Sequence, residues 1–336
     1  MLTERRGTIL RIIVSEYISS GIPVASESIA LSRALKVSPA TARNEMARLE
    51  EEGYISRPHV SAGAVPLDKG YRYYVEYLIK GARLKDEEKH NIQQLFYQAQ
   101  QELEEWVRLA AVFLSRRLKN IALVTLPRSL ACHFRHLHLL VLHESQILFV
   151  LLLQEGEVKQ RLISSAEAVS QDDLTALANH LNAIYNGLDY YQISAREEEL
   201  SPLEEQVTKA ILQTMQAEDE QQYAQFYLDG WRHLLSQPDF VKGEKTFSLV
   251  EALEERSLLN SILESLGSES GVKVIIGNEN KETALQGCSV ILSSYGTQAR
   301  GAIGIIGPTR MPYHQVIPTV DYLSSVMSRV INEIYA

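Results

Sequence analysis

The stretch KVSPATARNEMARLEEEGYISRPHVSAGAVP, residues 36–66, holds the side chains whose types and spacing point to chemistry, and that chemistry is recognition rather than catalysis. At about 100° per residue, Ala42, Met46 and Leu49 fall on one side of a helix. Ala40, Thr41, Asn44, Ala47 and Arg48 face the other way, with Arg43 on the flank. The small alanines would let a helix backbone approach base edges in a major groove. Asn44 can bond an adenine edge with two hydrogen bonds, Arg43 or Arg48 can do the same for guanine, and Thr41 can touch a phosphate or a thymine methyl. Ser38 and the helix N-terminus offer N–H groups to a phosphate. Past the helix, Arg57 and His59 can meet phosphates or a minor groove, while Ser61, Ala62 and Gly63 are small enough to lie against the sugar-phosphate backbone. A plainly solvated helix face also needs charge, and Glu50, Glu51 and Glu52 supply it; the turn before the helix and the ribbon after it favour DNA.

These groups need elements to position them. Residues 3–19 read as an amphipathic helix, with Ile9, Ile13 and Tyr17 four apart, stopped by Gly21 and Pro23. Ser26 reads as the N-cap of a short second helix through Ala34. Ser38 and Pro39 start the third, which runs to about Glu52 and ends at Gly53. Tyr54, Ile55 and Val60 mark two short strands, with Pro58 confining the first to an edge. A short helix over 71–80 follows, and the whole order is that of a winged helix-turn-helix.

One helical seam is expected from Asp86 to about Lys119, including Ile92, Phe96, Val107 and Leu114. Residues 134–163 read as an antiparallel meander of three strands, followed by helices at 171–186 and 202–217. The last third reads as a helix at 249–266, strands at 272–276, 289–293 and 301–306, and a helix from about Tyr313 to Ile334. The expected class is an α+β multidomain protein.

Composition sets the limits. A chain of 336 residues with 45% hydrophobic and 22% charged residues is globular and long enough for two or three domains. Its net charge of -9 argues against chain-wide affinity for a polyanion, yet residues 1–75 carry ten Lys/Arg against eight acids, and only there is the balance positive. Cys132 and Cys288 are far apart with no CxxC, so neither a stapled secreted domain nor a zinc ribbon is indicated. No signal peptide and no run of 18 apolar residues is present, which leads to the expectation of a cytoplasmic protein with no membrane partner.

Residues 37–75, VSPATARNEMARLEEEGYISRPHVSAGAVPLDKGYRYYV, resemble the DNA-binding segment of the HrcA family of heat-inducible transcription repressors. That segment has the form S-x-A-T-x-R-N-x-M-x-x-L-E, then P-H-x-S-A-G and G-Y-R. GAIGIIGPTRMPY at 301–313 is similar to a second family signature, and YLDGWRHLLSQPDF at 227–240 and IIGNEN at 275–280 also fit. The family's wing usually continues S-A-G-R-V-P-T, where this sequence has Ala64 and Leu67, so a wing cation is missing at position 64. The resemblance implies a dimeric repressor of chaperone operons on an inverted-repeat operator, kept active by the GroEL-type chaperonin and released on heat stress. It also implies three domains: a winged helix at 1–80, a GAF-like domain from 81–118 plus 219–336, and an inserted dimerisation domain at 119–218.

Other classes fare less well. GAIGIIG at 301–307 is neither GxGxxG nor a P-loop, and Ser61 lacks the G-x-S-x-G elbow, so no enzyme is expected. His133, His136, His138 and His143 crowd one segment without a clear third ligand, so no metal or other cofactor is expected. The alternative is a regulator whose GAF-like domain senses a small molecule through Asn278, Glu279, Asn280, Tyr295 and Arg310, groups that loop and helix-end bonding explain as well.

Overall fold

Helix α1 (Glu4–Ser20) is capped by the Thr3 side chain and closed by Gly21 in the left-handed region; α2 is Ser26–Leu31 and α3 is Pro39–Glu51. A two-stranded ribbon, β1 (Ile55–Ser56) and β2 (Val65–Pro66), leads to α4 (Asp68–Tyr73), which continues as a π-helical turn over Tyr74–Leu78. Then come α5 (Asp86–Tyr97), α6 (Leu103–Leu118), β3 (Ile121–Thr125), β4 (Arg128–Ser129), β5 (Phe134–His143), β6 (Gln146–Leu153) and β7 (Val158–Ser164). Helices α7 (Gln171–Tyr185), α8 (Tyr190–Ser194) and α9 (Pro202–Glu220) precede β8 (Phe226–Asp229), α10 (Trp231–Leu235), α11 (Glu244–Glu254) and α12 (Arg256–Glu264). Strands β9 (Val272–Ile276), β10 (Cys288–Tyr295) and β11 (Ala299–Pro308) and helix α13 (Tyr313–Ile334) finish the chain. This computed structural model describes all residues except 1, 33–34, 36, 58–62, 80, 98–101, 130, 144, 155, 166–167, 197, 221–224, 241–243, 255, 267–270, 298 and 335–336.

The chain divides into two units. The first comprises Met1–Pro127, Gln225–Thr297 and Gly301–Ala336 and contains an antiparallel sheet in the order β8-β3-β11-β10-β9. Every residue of β3 is buried, as is all of β11 except Arg300, so the centre of this sheet is covered on both faces. Helix α6 packs against β3 and β8, and α13 against β10 and β9. The second unit, Arg128–Ala224 with Gln298–Arg300, is the meander β5-β6-β7, one face of which packs with α7, α8 and α9 around Phe134, Phe149, Leu181 and Ile211. Among the described residues no helix is long and apolar enough to cross a membrane.

Several boundaries differ from the sequence reading. Ser26 is the first residue of α2, not its cap, because Ala25 takes the extended N-cap position. The fourth helix starts at Asp68 rather than 71. The seam from 86 to 119 is two helices: Glu102 is extended at φ -88° and ψ 119°, and the Phe96 and Trp106 ring centroids lie 5.9 Å apart. A straight helix would separate positions 96 and 106 by about 15 Å along its axis. The helix expected at 249–266 is α11 and α12, beginning at Glu244. Ile121–Thr125 pairs with β11 and β8 in the first unit, so the excursion into the second unit starts at Arg128 rather than 119 and returns after 224. Buried strands of this kind give no alternation by which to separate them from a following meander.

Candidate nucleic-acid interface

The short helices are held by a small core in which Ile9, Leu10 and Ile13 of α1, Ile29 of α2 and Leu49 of α3 are wholly inaccessible. Ala42 and Met46 join Leu49 on the inner side of α3, as its periodicity requires. The Ser38 hydroxyl accepts from Thr41 N at 3.1 Å and pairs with the Thr41 hydroxyl at 2.9 Å, while Pro39 occupies the first turn. At the other end Gly53 has φ +75°, and Tyr54 N donates to Leu49 O at 2.8 Å, which closes the helix and turns the chain into the ribbon.

Ala40, Asn44 and Arg48 form an exposed stripe at four-residue spacing. Neither the Asn44 amide nor the Arg48 guanidinium has a hydrogen-bond or ion-pair partner among the described residues. Arg43 is exposed but engaged: its Nη2 donates to Glu27 Oε1 at 2.6 Å and its Nε to Ser26 Oγ at 3.1 Å. The Glu27 carboxyl is held below its ordinary value by a backbone hydrogen bond and by bonds from Arg43 and Ser26. Sequence reading gave Ser26 only as a cap and gave Glu27 no role, since nothing local to α2 signals a partner 16 residues ahead.

Arg57 is likewise engaged, with its N donating to Glu50 Oε1 at 2.9 Å and its Nε to Glu50 Oε2 at 2.8 Å. Arg6 pairs with Glu52, and Arg5 and Arg6 lie 3.9 and 3.6 Å from Glu45 carboxylate oxygens. Most of the acids on and after α3 are thus matched by cations, which lessens the repulsion they would exert on a phosphate.

Gly63 serves the base of the ribbon: a Cβ there would sit 2.4 Å from the Pro23 carbonyl oxygen. Next to it Ala64 exchanges hydrogen bonds of 2.9 and 2.8 Å with Val24 and is fully buried, so its methyl fills the base of the wing instead of facing outward. His59 and Ser61, with Pro58, Val60 and Ala62, lie outside the described residues.

The five residues raised for a small-molecule pocket all have structural partners. Asn280 Nδ2 donates to the carbonyls of Gly277, Leu285 and Cys288, Tyr295 OH donates to Thr125 O at 2.5 Å, and Arg310 Nε donates to both Asp239 oxygens. Asn278 bonds Asp68, and Glu279 bonds Arg72. The glycines of 301–307 lie in β11, where a Cβ on Gly304 would reach the Leu292 side chain at 2.6 Å. His136 and His138 do share a face, with ring centroids 4.7 Å apart.

Three short helices, a two-stranded ribbon and an outward α3 lined by Ala40, Asn44 and Arg48 define a winged helix-turn-helix protein. Residues 104–317 match the family described as HrcA protein C terminal domain. A heat-inducible transcription repressor HrcA of Dehalococcoides mccartyi is 42% identical over 337 residues, covering 100% of this chain and 97% of that relative. The corresponding repressor of Roseiflexus castenholzii is 38% identical over 343 residues, covering 99% of this chain and 96% of its own. The chain belongs to the HrcA family of heat-inducible transcription repressors, and not to a family of enzymes. A crystal structure described as that of a hypothetical protein at 2.2 Å resolution shares its fold, with a TM-score of 0.62 and 23% identity over 99% of each chain.

Proposed function

We propose that this protein represses chaperone operons from the cytoplasm by binding an inverted-repeat operator as a homodimer, with the third helix of the winged domain in the major groove. The observation that carries the reading is the pair of exposed groups Asn44 and Arg48 one turn apart on α3, without a partner among the described residues and so available to base edges. Ser38, Ala40 and Thr41 would bring the helix N-terminus to a phosphate, Arg43 would read a guanine in place of its bond to Glu27, and Arg57, His59, Ser61 and Gly63 would belong to the wing's backbone contact.

Self-association is supported by the outer face of the meander. Leu140, Leu148 and Leu162 lie in one cross-strand row, and Leu140, Leu142, Val158 and Leu162 are 46, 48, 52 and 58% exposed. An apolar face of this kind is characteristic of a protein contact, and two copies would present two reading helices to a palindrome. The second unit is then the inserted dimerisation domain, and the larger sheet the GAF-like domain. The GroEL-type chaperonin would act by mass action, raising the active fraction of a repressor whose folding is marginal and which is lost on heating.

The test is a gel-shift titration at physiological salt on an inverted-repeat chaperone promoter. Asn44→Ala should lose about 1 to 3 kcal/mol of discrimination at one base pair of each half-site. Binding with no sequence preference would overturn the reading. Equal active fractions with and without chaperonin after mild heating would remove the chaperonin from it.

A further inference from the structure

Two charged residues on α4, Asp68 and Arg72, stand four apart and would ordinarily pair with each other along the helix. Neither does so; both reach the turn at Gly277–Glu279 that follows β9. Asp68 Oδ2 accepts from Asn278 N and from Asn278 Nδ2, each at 2.8 Å. Arg72 Nε donates to Glu279 Oε1 at 2.8 Å, its Nη2 donates to Glu279 Oε2, and the same Nη2 donates to Val274 O at 2.7 Å. Such a fork fixes direction as well as distance. Glu279 is itself fixed from behind, accepting from Ile276 N at 2.8 Å.

The approach requires a glycine on the far side. Gly277 has φ +51°, and a Cβ on it would lie 2.3 Å from both Asp68 carboxylate oxygens. Beside this contact the buried rings of Tyr71 and Tyr313 lie 5.9 Å apart. On its other side α4 is fastened to the winged domain: Leu67 N donates to Tyr54 O at 3.1 Å, Lys69 Nζ donates to Glu52 O at 2.8 Å, and a Cβ on Gly70 would sit 2.2 Å from Tyr54 O. The segments LDKGYRYY, IIGNEN and GPTRMPY, more than 200 residues apart at the extremes, therefore meet at one place.

We propose that Asp68, Arg72, Gly277, Asn278 and Glu279 are positioning residues for operator recognition. They clamp the reading domain to the end of β9 and fix the direction in which α3 is presented, and in the dimer this clamp sets the half-site spacing that the protein accepts. The inference rests on the reading of the protein as a dimer on an inverted repeat. Rigidly held heads give a high effective concentration at one spacing and a low one at others, and a looser connection spreads it.

The experiment measures full-length protein against inverted repeats whose central spacer is varied one base pair at a time through a helical turn, and against a single half-site. Wild type should favour one spacer. Asp68→Ala and Arg72→Gln should bind that spacer about tenfold more weakly and show a flattened profile, with single half-site binding unchanged. Arg72→Lys, which keeps the charge but loses the fork, should lie between wild type and Arg72→Gln. Variants that keep the wild-type circular dichroism and the wild-type spacer profile would overturn the proposal. So would a parallel loss on the single half-site, which would mean damage to the reading domain itself. Wild type that binds no inverted repeat would overturn the repressor reading, and with it this proposal; a wild-type peak that the variants leave untouched would overturn this proposal alone.

Discussion

Replacing Glu50 with alanine should make the protein less stable and its grip on DNA stronger. Glu50 accepts three hydrogen bonds from Arg57, one from its backbone N–H and two from its guanidinium. The two side chains are 33% and 22% exposed, so solvent screens the pair without abolishing it. Charge-assisted bonds discounted for that exposure are worth about 1 to 2 kcal/mol here, which is roughly 2 to 8 °C in the melting temperature of a unit of this size. The side-chain bonds from Arg57 hold the Glu50 carboxyl below its ordinary value of 4.5, against the opposing effect of burial. Because the folded-state value is the lower one, this stabilisation is complete above the unfolded value and is lost as pH falls through the folded value. The Glu50→Ala deficit should therefore be present at pH 7 and should shrink in acid. Meanwhile Arg57 is released to face a phosphate, and one added phosphate contact steepens the dependence of log affinity on log salt by about 0.9. Between 50 and 200 mM salt that amounts to about 3.5-fold. Thermal unfolding at two pH values and anisotropy titrations on a random duplex measure both arms. An unchanged melting temperature at pH 7 would refute the tether, and a lowered one with an unchanged salt slope would refute Arg57 as a phosphate ligand.

Gly63→Ala should lower the denaturant midpoint, because its Cβ would sit 2.4 Å from the Pro23 carbonyl oxygen and overpacking of this kind costs about 1 to 3 kcal/mol; wild-type stability would show that the ribbon base is not closed as described. Cys288 should resist thiol reagents at pH 8 in the native protein and react in denaturant, since burial, with a smaller effect from Asp239, pushes its thiol up to about 12. The unfolded thiol ionises near 9.0, so the unfolded chain releases a proton that the folded chain keeps, and stability should fall between pH 9 and 12. Replacing Cys288 by alanine should flatten that fall, measured as unfolding free energy against pH; an identical slope would refute the assignment.

Much of the reading helix is local in origin and so was legible. Ser38 and Pro39 begin it, Gly53 ends it, and Ala42, Met46 and Leu49 turn inward, all through interactions spanning no more than about five residues. The meander was equally legible: β6 alternates buried and half-buried along Ile147–Leu153, the pattern of a sheet with one covered face. The break between α5 and α6 was not, because the sequence around Glu102 is as compatible with helix as its flanks, and the interruption shows in the extended backbone of Glu102 and in the meeting of Phe96 with Trp106.

The sequence by itself determined which residues present polar groups from α3, since a helical period fixes which face a position occupies. It also determined, through the motifs at 37–75 and 301–313, the family to which the chain belongs. Only the tertiary structure decided which of those groups are free. Among the described residues Asn44 and Arg48 are unpartnered, Arg43 is held by Glu27, Arg57 by Glu50, and Ala64 is turned inward against Val24. It alone joined Arg72 to Glu279 across 207 positions. Charges find partners by distance in space, and no pattern of spacing along the chain encodes which carboxylate a distant arginine will meet.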